Sequence, residues 1–343
     1  MSAIHARLDG AQSSTAPDAF RPDSAVAAVR IEGLSKVYKS NWTLKTTRGL
    51  DDLNLTVQQG EVFGYLGPNG AGKTTTLKIL TGLLKPTHGR AWLLGVPIEQ
   101  IESRRSLGFL PEQPYFYDYL TGPEYLEFVA RLSGLQGRDG ATAAKQWFGR
   151  VGLGERPRMV LRKYSKGMLQ RLGLAAALVH SPRLVILDEP MSGLDPFGRR
   201  DVRDLILEQR DRGVTVMFSS HILPDVEMLC DRVAIVLKGR LERLATVAEL
   251  VSSQGASIEI RVAETPAVEL PASWAGVLQL AKRPGESVFT LTDESRLQEV
   301  LAFLVQHGLR VRAVTPQRGT LEELFMAAAG ESAFQAPGQR RSA

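Results

Sequence analysis

Gly67-Pro68-Asn69-Gly70-Ala71-Gly72-Lys73-Thr74 is the stretch on which the fold turns. It fits the pattern G-x-x-x-x-G-K-T, and its surroundings fit too: Val62 to Leu66 reads as a short apolar strand before it, and an apolar helix follows. Glycine tolerates backbone torsions that side chains forbid, so the loop's N–H groups can converge on phosphate oxygens, helped by the positive end of the helix. In such a loop Lys73 neutralises the β- and γ-phosphates, the Thr74 hydroxyl is a Mg²⁺ ligand, and Thr75 continues the binding segment. The expectation is a nucleoside-phosphate site on an α/β scaffold.

Reading outward, Ala28 to Val37 has the pattern of a strand. Leu53, Leu55 and Val57 alternate with polar residues as a second, and Gln59-Gly60 turns the chain into the third. Downstream to about residue 250, helices alternate with short apolar strands, as in an open, mostly parallel sheet. Leu184-Val185-Ile186-Leu187 is a continuous apolar run, suited to a strand buried on both faces, and it ends in Asp188-Glu189-Pro190. Two acids at the carboxyl end of such a strand lie where α/β sheets bind ligands. Asp188 suits Mg²⁺, through water, and Glu189 suits a general base for an attacking water.

Composition narrows the class. The chain has 343 residues, 43% hydrophobic and 23% charged, enough for two domains with a substantial core. The single cysteine, Cys230, excludes an intramolecular disulfide and fits a reducing compartment. No apolar run approaches the length of a membrane span, and no secretory leader is expected. The net charge of +5 is a mild excess on a solvated surface, and no nucleic-acid partner is expected.

The segments between these motifs separate the families that share them. Tyr164-Ser165-Lys166-Gly167-Met168-Leu169-Gln170-Arg171 stands just before the apolar strand and resembles the L-S-G-G-Q signature of the ABC ATPases. Ser165 and Gly167 hold the matching Ser and second Gly positions, whereas Lys166 replaces a Gly and Met168 the Gln. Ser192-Gly193-Leu194-Asp195-Pro196 is similar to that family's D-loop. Ser219-Ser220-His221, after the apolar strand Val214 to Phe218, is similar to its switch histidine, and Tyr38 suits its adenine-stacking aromatic. The resemblance implies an ABC-type cassette with a mixed sheet and a helical subdomain. It implies ATP as substrate, Mg²⁺ as cofactor, His221 and Glu112 as catalytic residues with Glu189, and Asp195 in the nucleotide site. In Gly108-Phe109-Leu110-Pro111-Glu112-Gln113-Pro114, counting back from Leu120-Thr121 places Glu112 at the family's glutamine position, where it would contact Mg²⁺ and water; Gln113 is the alternative. Some of these residues also have plain structural uses. Ser165 can cap the helix running to His180, and Asp195-Pro196 is an N-cap followed by proline at the first helical position.

A different pattern begins near residue 256. Ser257 to Val262, Ser287 to Thr292 and Leu309 to Val314 read as strands. Arg296 to His307 has helical spacing, with Leu297, Val300, Leu301 and Leu304 on one face, and Leu321 to Ala329 reads as a short helix. The expected organisation is a disordered segment 1–27, a cassette 28–250, a small α/β accessory domain 256–330 and a flexible tail 331–343. Thr320-Leu321-Glu322-Glu323-Leu324-Phe325 resembles the closing motif of the sodium, drug and polysaccharide exporter branch, where Glu at the position of Glu112 is also familiar.

The resemblance implies an exporter motor subunit at the cytoplasmic face of the inner membrane, attached to a separate integral-membrane permease. It also implies a head-to-tail pair with a second ATP-binding subunit, a homodimer. The alternative is a soluble ABC ATPase acting on ribosomes or DNA, or a nucleotide-gated module with little turnover. Against these stand one cassette without sustained heptads or cysteine clusters, and an intact Glu189 and His221. Tyr115, Phe116, Tyr117 and Tyr119 form an aromatic cluster that reads equally as permease-docking surface or as core of the helical subdomain.

Overall fold

Two kinds of strand pattern produce two kinds of sheet. The computed structural model describes residues 26–39, 46–253, 257–263, 270–283 and 285–317. Strands β1 (Val29–Lys39) and β2 (Thr46–Val57) pair antiparallel and bury alternate residues. After β3 (Val62–Leu66), helix α1 (Lys73–Leu80) leads to β4 (His88–Leu93) and the two-residue β5 (Val96–Pro97), completing a sheet of order β2-β1-β4-β5. This antiparallel sheet stands beside the mostly parallel one expected from the alternation of helices and strands. Half-buried alternation marks the antiparallel one, and continuous apolar runs mark the other.

That second sheet starts with β3, buried at every residue, and β6 (Leu107–Leu110). The chain then makes three helices, α2 (Gly122–Leu132), α3 (Gly137–Arg150) and α4 (Lys166–Leu178), before β7 (Leu184–Asp188). Helix α5 (Pro196–Asp211), β8 (Thr215–Ser220), α6 (Leu223–Leu229), β9 (Arg232–Leu237), β10 (Arg240–Thr246) and α7 (Val247–Ser253) follow. The strand order is β10-β9-β3-β8-β7-β6, all parallel except β10.

Because side chains alternate along a strand, the parallel sheet is covered on both faces. Val62, Leu66, Val185, Leu187, Val216 and Phe218 pack with the three helices. Phe63, Tyr65, Leu184, Ile186 and Met217 face α1 and the antiparallel sheet.

The aromatic cluster divides between the two readings. Phe116 is packed on the helical-side core with its ring 5.0 Å from that of Tyr125, while Tyr115 is 87% and Tyr119 67% exposed. Tyr115 and Tyr119 are the exposed members, Tyr117 packs its ring against Phe128, and Phe116 belongs to the core.

The remaining described residues form β11 (Ser257–Ala263), β12 (Leu278–Arg283), β13 (Glu286–Leu291), helix α8 (Leu297–Gln306) and β14 (Val311–Gln317). Their antiparallel order is β12-β13-β11-β14, and Ile260, Phe289, Val300 and Leu304 sit in a core of their own. The sequence reading misses β12, whose apolar alternation stops after Leu278 and Leu280; the Pro-Gly dipeptide that follows in sequence is the available signal. Residues 1–25 and the motif at Thr320–Phe325 lie outside the described residues. No helix among the described residues is long and apolar enough to cross a membrane.

Candidate functional site: a phosphate loop facing a buried carboxylate pair

The loop between β3 and α1 is shaped by close backbone approach. Gly72 caps α1 with a left-handed φ of 104°, and a Cβ there would stand 2.5 Å from the Gly49 carbonyl oxygen. At Gly67 a Cβ would meet the Val236 carbonyl oxygen at 2.4 Å. Both positions thus demand glycine. The Tyr65 hydroxyl and Thr76 Oγ1 lie 2.9 Å apart, tying α1 to the strand that feeds it. Burial pushes the Tyr65 phenol up, so it stays a neutral hydrogen-bonding group.

Lys73 is buried. Its Nζ donates to the Gly67 carbonyl at 2.6 Å and lies 3.5 Å from Oε1 of Glu189. Glu189 follows β7 and is itself buried; its Oε2 is 2.8 Å from Nδ1 of His221, which follows β8. Strand order explains the meeting, since β3, β8 and β7 are neighbours and all end at the same edge of the sheet. Asp188, 2% exposed, accepts a hydrogen bond from the Ser219 hydroxyl at 2.6 Å, and the same Oγ accepts from the Glu189 N–H at 3.0 Å.

Glu189 has a left-handed φ of 51°. For a residue with a Cβ this conformation costs on the order of 1–3 kcal/mol and persists where its surroundings over-determine it. Ser219 on one side is such a support. Gln170 of α4 is another: its Nε2 donates to the Pro190 carbonyl at 2.9 Å and approaches that of Glu189 at 3.5 Å.

Lys73, Glu189 and His221 open on a cleft of about 530 Å³; the Asp188 carboxylate lies behind its lining, held by Ser219. Pro68, Asn69, Gly70, Gly72, Lys73 and Thr74 line one wall, with Thr75 beside them. Glu112, Glu189 and His221 line another, and Tyr38 stands at the rim, 40% exposed, its hydroxyl 3.2 Å from Thr75 Oγ1. Gln113 is not part of this lining. A larger groove of about 870 Å³ lies along the antiparallel sheet at Arg30, Asn54 and Trp92 and contains none of these groups.

Several expected residues stay out of the cleft. Gly67 and Ala71 shape the loop from behind. Ser165 caps α4, its Oγ accepting from the Met168 N–H at 3.3 Å, and Gly167 packs toward Leu194. Asp195 caps α5 by accepting from the Gly198 N–H at 2.7 Å. Sequence reasoning missed Thr47, Arg48 and Gly49 in the lining, and Ser219 and Gln170 as supports; of the D-loop motif it is Ser192, not Asp195, that lines the cleft. Thr47 pairs with Tyr38 across the β1–β2 ladder, a register that no local pattern announces.

Mg²⁺ takes one or two carboxylates together with hydroxyl, water and phosphate oxygens, without needing an all-protein cage. A buried carboxylate oriented by Ser219 and a threonine hydroxyl at the cleft suit that donor set. Among the described residues no cluster of three or more His, Cys or carboxylate donors forms a cage.

Residues 50–192 match the family described as ABC transporter, and residues 247–329 match that of the ATP-binding protein DrrA1-3-like, C-terminal domain. An uncharacterized ABC transporter ATP-binding protein of Synechocystis, sll0415, is 42% identical over 72% of this chain and 71% of its own length. The daunorubicin/doxorubicin resistance ATP-binding protein DrrA of Streptomyces peucetius is 34% identical over 89% of this chain and 93% of its own. Among solved structures, an ATP-binding subunit of an ABC transporter superposes with a TM-score of 0.60 at 30% identity, over 66% of this chain and 93% of that one.

Proposed function

The chain belongs to the ABC transporter ATP-binding family, and from that premise we propose that it is the ATP-hydrolysing motor subunit of an exporter, driving a separate membrane permease. The observation that carries the catalytic reading is the convergence of Lys73, Glu189 and His221 on one cleft. Glu189 Oε1 faces Lys73 and Oε2 faces His221. A γ-phosphate that takes over Lys73 releases Oε1 to accept the proton of the attacking water, while His221 holds the carboxylate in place. The products are ADP and phosphate. Mg²⁺ would be held by Thr74, Asp188 and Glu112, and its charge would offset that of the phosphates.

The cassette is assigned to 28–250 and the accessory domain to 256–330. A daunorubicin/doxorubicin resistance relative matched over nearly its whole length favours export at the cytoplasmic face of the membrane over action on ribosomes or DNA. The signature residues Ser165 and Gly167 lie outside the cleft of their own chain, so a second copy, arranged head to tail, is needed to supply them. Purified chain should therefore release phosphate from ATP with a specific activity that climbs with protein concentration. Activity independent of concentration counts against a site shared between copies, and no hydrolysis at all counts against the motor.

Tyr38 at the rim is the adenine platform. Tyr38→Ala is expected to weaken ATP binding about tenfold, in line with the loss of one base–aromatic stack, and Tyr38→Phe to restore it. Equal affinities in a nucleotide titration of all three proteins exclude the platform. The exposed tyrosines after Glu112 are the permease contact. Tyr115→Ala should lower recovery of a co-expressed permease with no shift in melting temperature. Phe116→Ala should instead destabilise the fold by about 2 kcal/mol, because it empties a packed position. Thermal melts that rank the two variants the other way reverse the assignment.

A further inference from the structure

Helix α4 carries two different jobs one and a half turns apart. Ser165 at its N-cap belongs to the surface offered to the partner copy's nucleotide under the reading above, on which this inference rests. Gln170, only 4% exposed, points the other way, into the chain's own interior, and donates to the Pro190 carbonyl at 2.9 Å and toward that of Glu189 at 3.5 Å. Those two carbonyls belong to the segment that holds Glu189 in its left-handed conformation, with φ of 51°. On the opposite side the Ser219 hydroxyl accepts from the Glu189 N–H at 3.0 Å while donating to Asp188. The backbone of the general base is thus gripped at its N–H from β8 and at its carbonyl by the Ser192 N–H at 3.0 Å, while the next carbonyl, that of Pro190, is held from the signature helix.

We propose that Gln170 is a positioning residue for hydrolysis: its side-chain amide fixes the peptide of Glu189-Pro190, and so the aim of the Glu189 carboxylate, and makes that aim depend on where the signature helix lies. A left-handed glutamate has an alternative extended conformation open to it, and a buried carbonyl left without its donor favours any rearrangement that finds one. Without the amide the carboxylate leaves the geometry in which Oε1 faces Lys73 and Oε2 faces His221. ATP binding is untouched, because Gln170 does not line the cleft and its amide donates to the Pro190 and Glu189 carbonyls rather than to the phosphate loop.

Gln170→Met keeps the volume and removes the donor. Its kcat for ATP is expected to fall about tenfold or more with KM held within about twofold, the split that marks an interaction felt in the chemical step alone. In a Glu189→Gln background the same change should add no further loss, since there is no base left to aim. Gln170→Glu, which keeps shape and polarity but offers acceptors where donors are needed, should show the same kcat defect, and it stands in if the Met variant does not fold.

Mixed dimers sharpen the point. A Ser165→Arg copy paired with a copy of intact signature keeps one working site, built on the phosphate loop of the Ser165→Arg copy. Gln170→Met should cost that site more when placed in the copy that supplies Glu189 than in the copy that supplies the signature. An unchanged kcat, a full multiplicative loss on top of Glu189→Gln, or a larger loss from the signature side overturns the proposal. If Glu189→Gln itself turns ATP over normally, the general-base reading fails first and independently of Gln170.

Discussion

Glu189→Gln is expected to bind ATP about as well as the native chain and to hydrolyse it about 10²- to 10⁴-fold more slowly, the range spanned by loss of a positioned general base. The geometry separates the two effects. Glu189 lies 3.5 Å from Lys73 and 2.8 Å from His221, while the backbone of the loop proposed to receive the phosphates lines the same cleft. An amide of the same shape retains a hydrogen-bonding partner for His221 while giving up the ability to take a proton from water. It also removes one buried negative charge facing the γ-phosphate, so the substituted chain should hold ATP longer and accumulate as a closed pair.

Lys73→Ala makes the contrasting case, because a charge-assisted phosphate contact disappears and binding itself should fail. Phosphate release and a nucleotide titration, measured on both variants, decide the matter. Near-normal turnover by Glu189→Gln removes Glu189 from the mechanism, and unchanged affinity in Lys73→Ala removes the phosphate contact.

What could be read from the sequence divides along the distance over which each feature is encoded. The phosphate loop is local: its glycines, lysine and threonines are consecutive, and the strand before and helix after it have unmistakable patterns, so Lys73 and Thr74 stand where the motif puts them. Asp188 and Glu189 were equally plain, as the end of a run buried at every residue. The supports were not. Gln170 lies nineteen and twenty residues from the carbonyls it holds, and Ser219 thirty from the N–H it meets. Each contact exists because β7, β8 and α4 pack together in three dimensions, and glutamine or serine in a buried helix or strand carries no periodic signal of what it touches. The aromatic run after Glu112 shows the same limit at short range. Four rings in five residues look alike in sequence, and only the packing of α2 beneath Phe116 separates it from its exposed neighbours. The antiparallel sheet went unannounced for a related reason: alternation identifies a half-buried strand, and the identity of its partner is settled by register, which β1 shifts more than once.

The second large effect is expected from Ser165→Arg, and it follows from where the signature is not. Ser165 caps α4 and Gly167 rests toward Leu194, while the cleft of the same chain is closed around by the phosphate loop, Glu112, Glu189, Ser192 and His221. A nucleotide in that cleft is therefore held from one side only. Two copies related by a two-fold axis, each offering its signature to the other's cleft, complete two sites at once. In that arrangement the N-terminus of α4, with its N–H groups and positive dipole end, would be the second hand on the γ-phosphate. An arginine at position 165 removes the cap and fills that surface with a long side chain, so the variant alone should lose steady-state hydrolysis while each monomer still binds ATP through Lys73. Mixed one to one with Glu189→Gln copies, the Ser165→Arg chain leaves one composite site per mixed dimer whose own phosphate loop, base and borrowed signature are all intact, so activity should reappear in a mixture of two inactive proteins. Sedimentation with and without ATP should show Glu189→Gln alone passing from monomer to dimer on nucleotide, and Ser165→Arg alone remaining monomeric. If Ser165→Arg abolishes nucleotide binding by the isolated monomer, or if the mixture stays as inactive as its parts, the signature acts on its own chain's nucleotide and the head-to-tail arrangement is wrong.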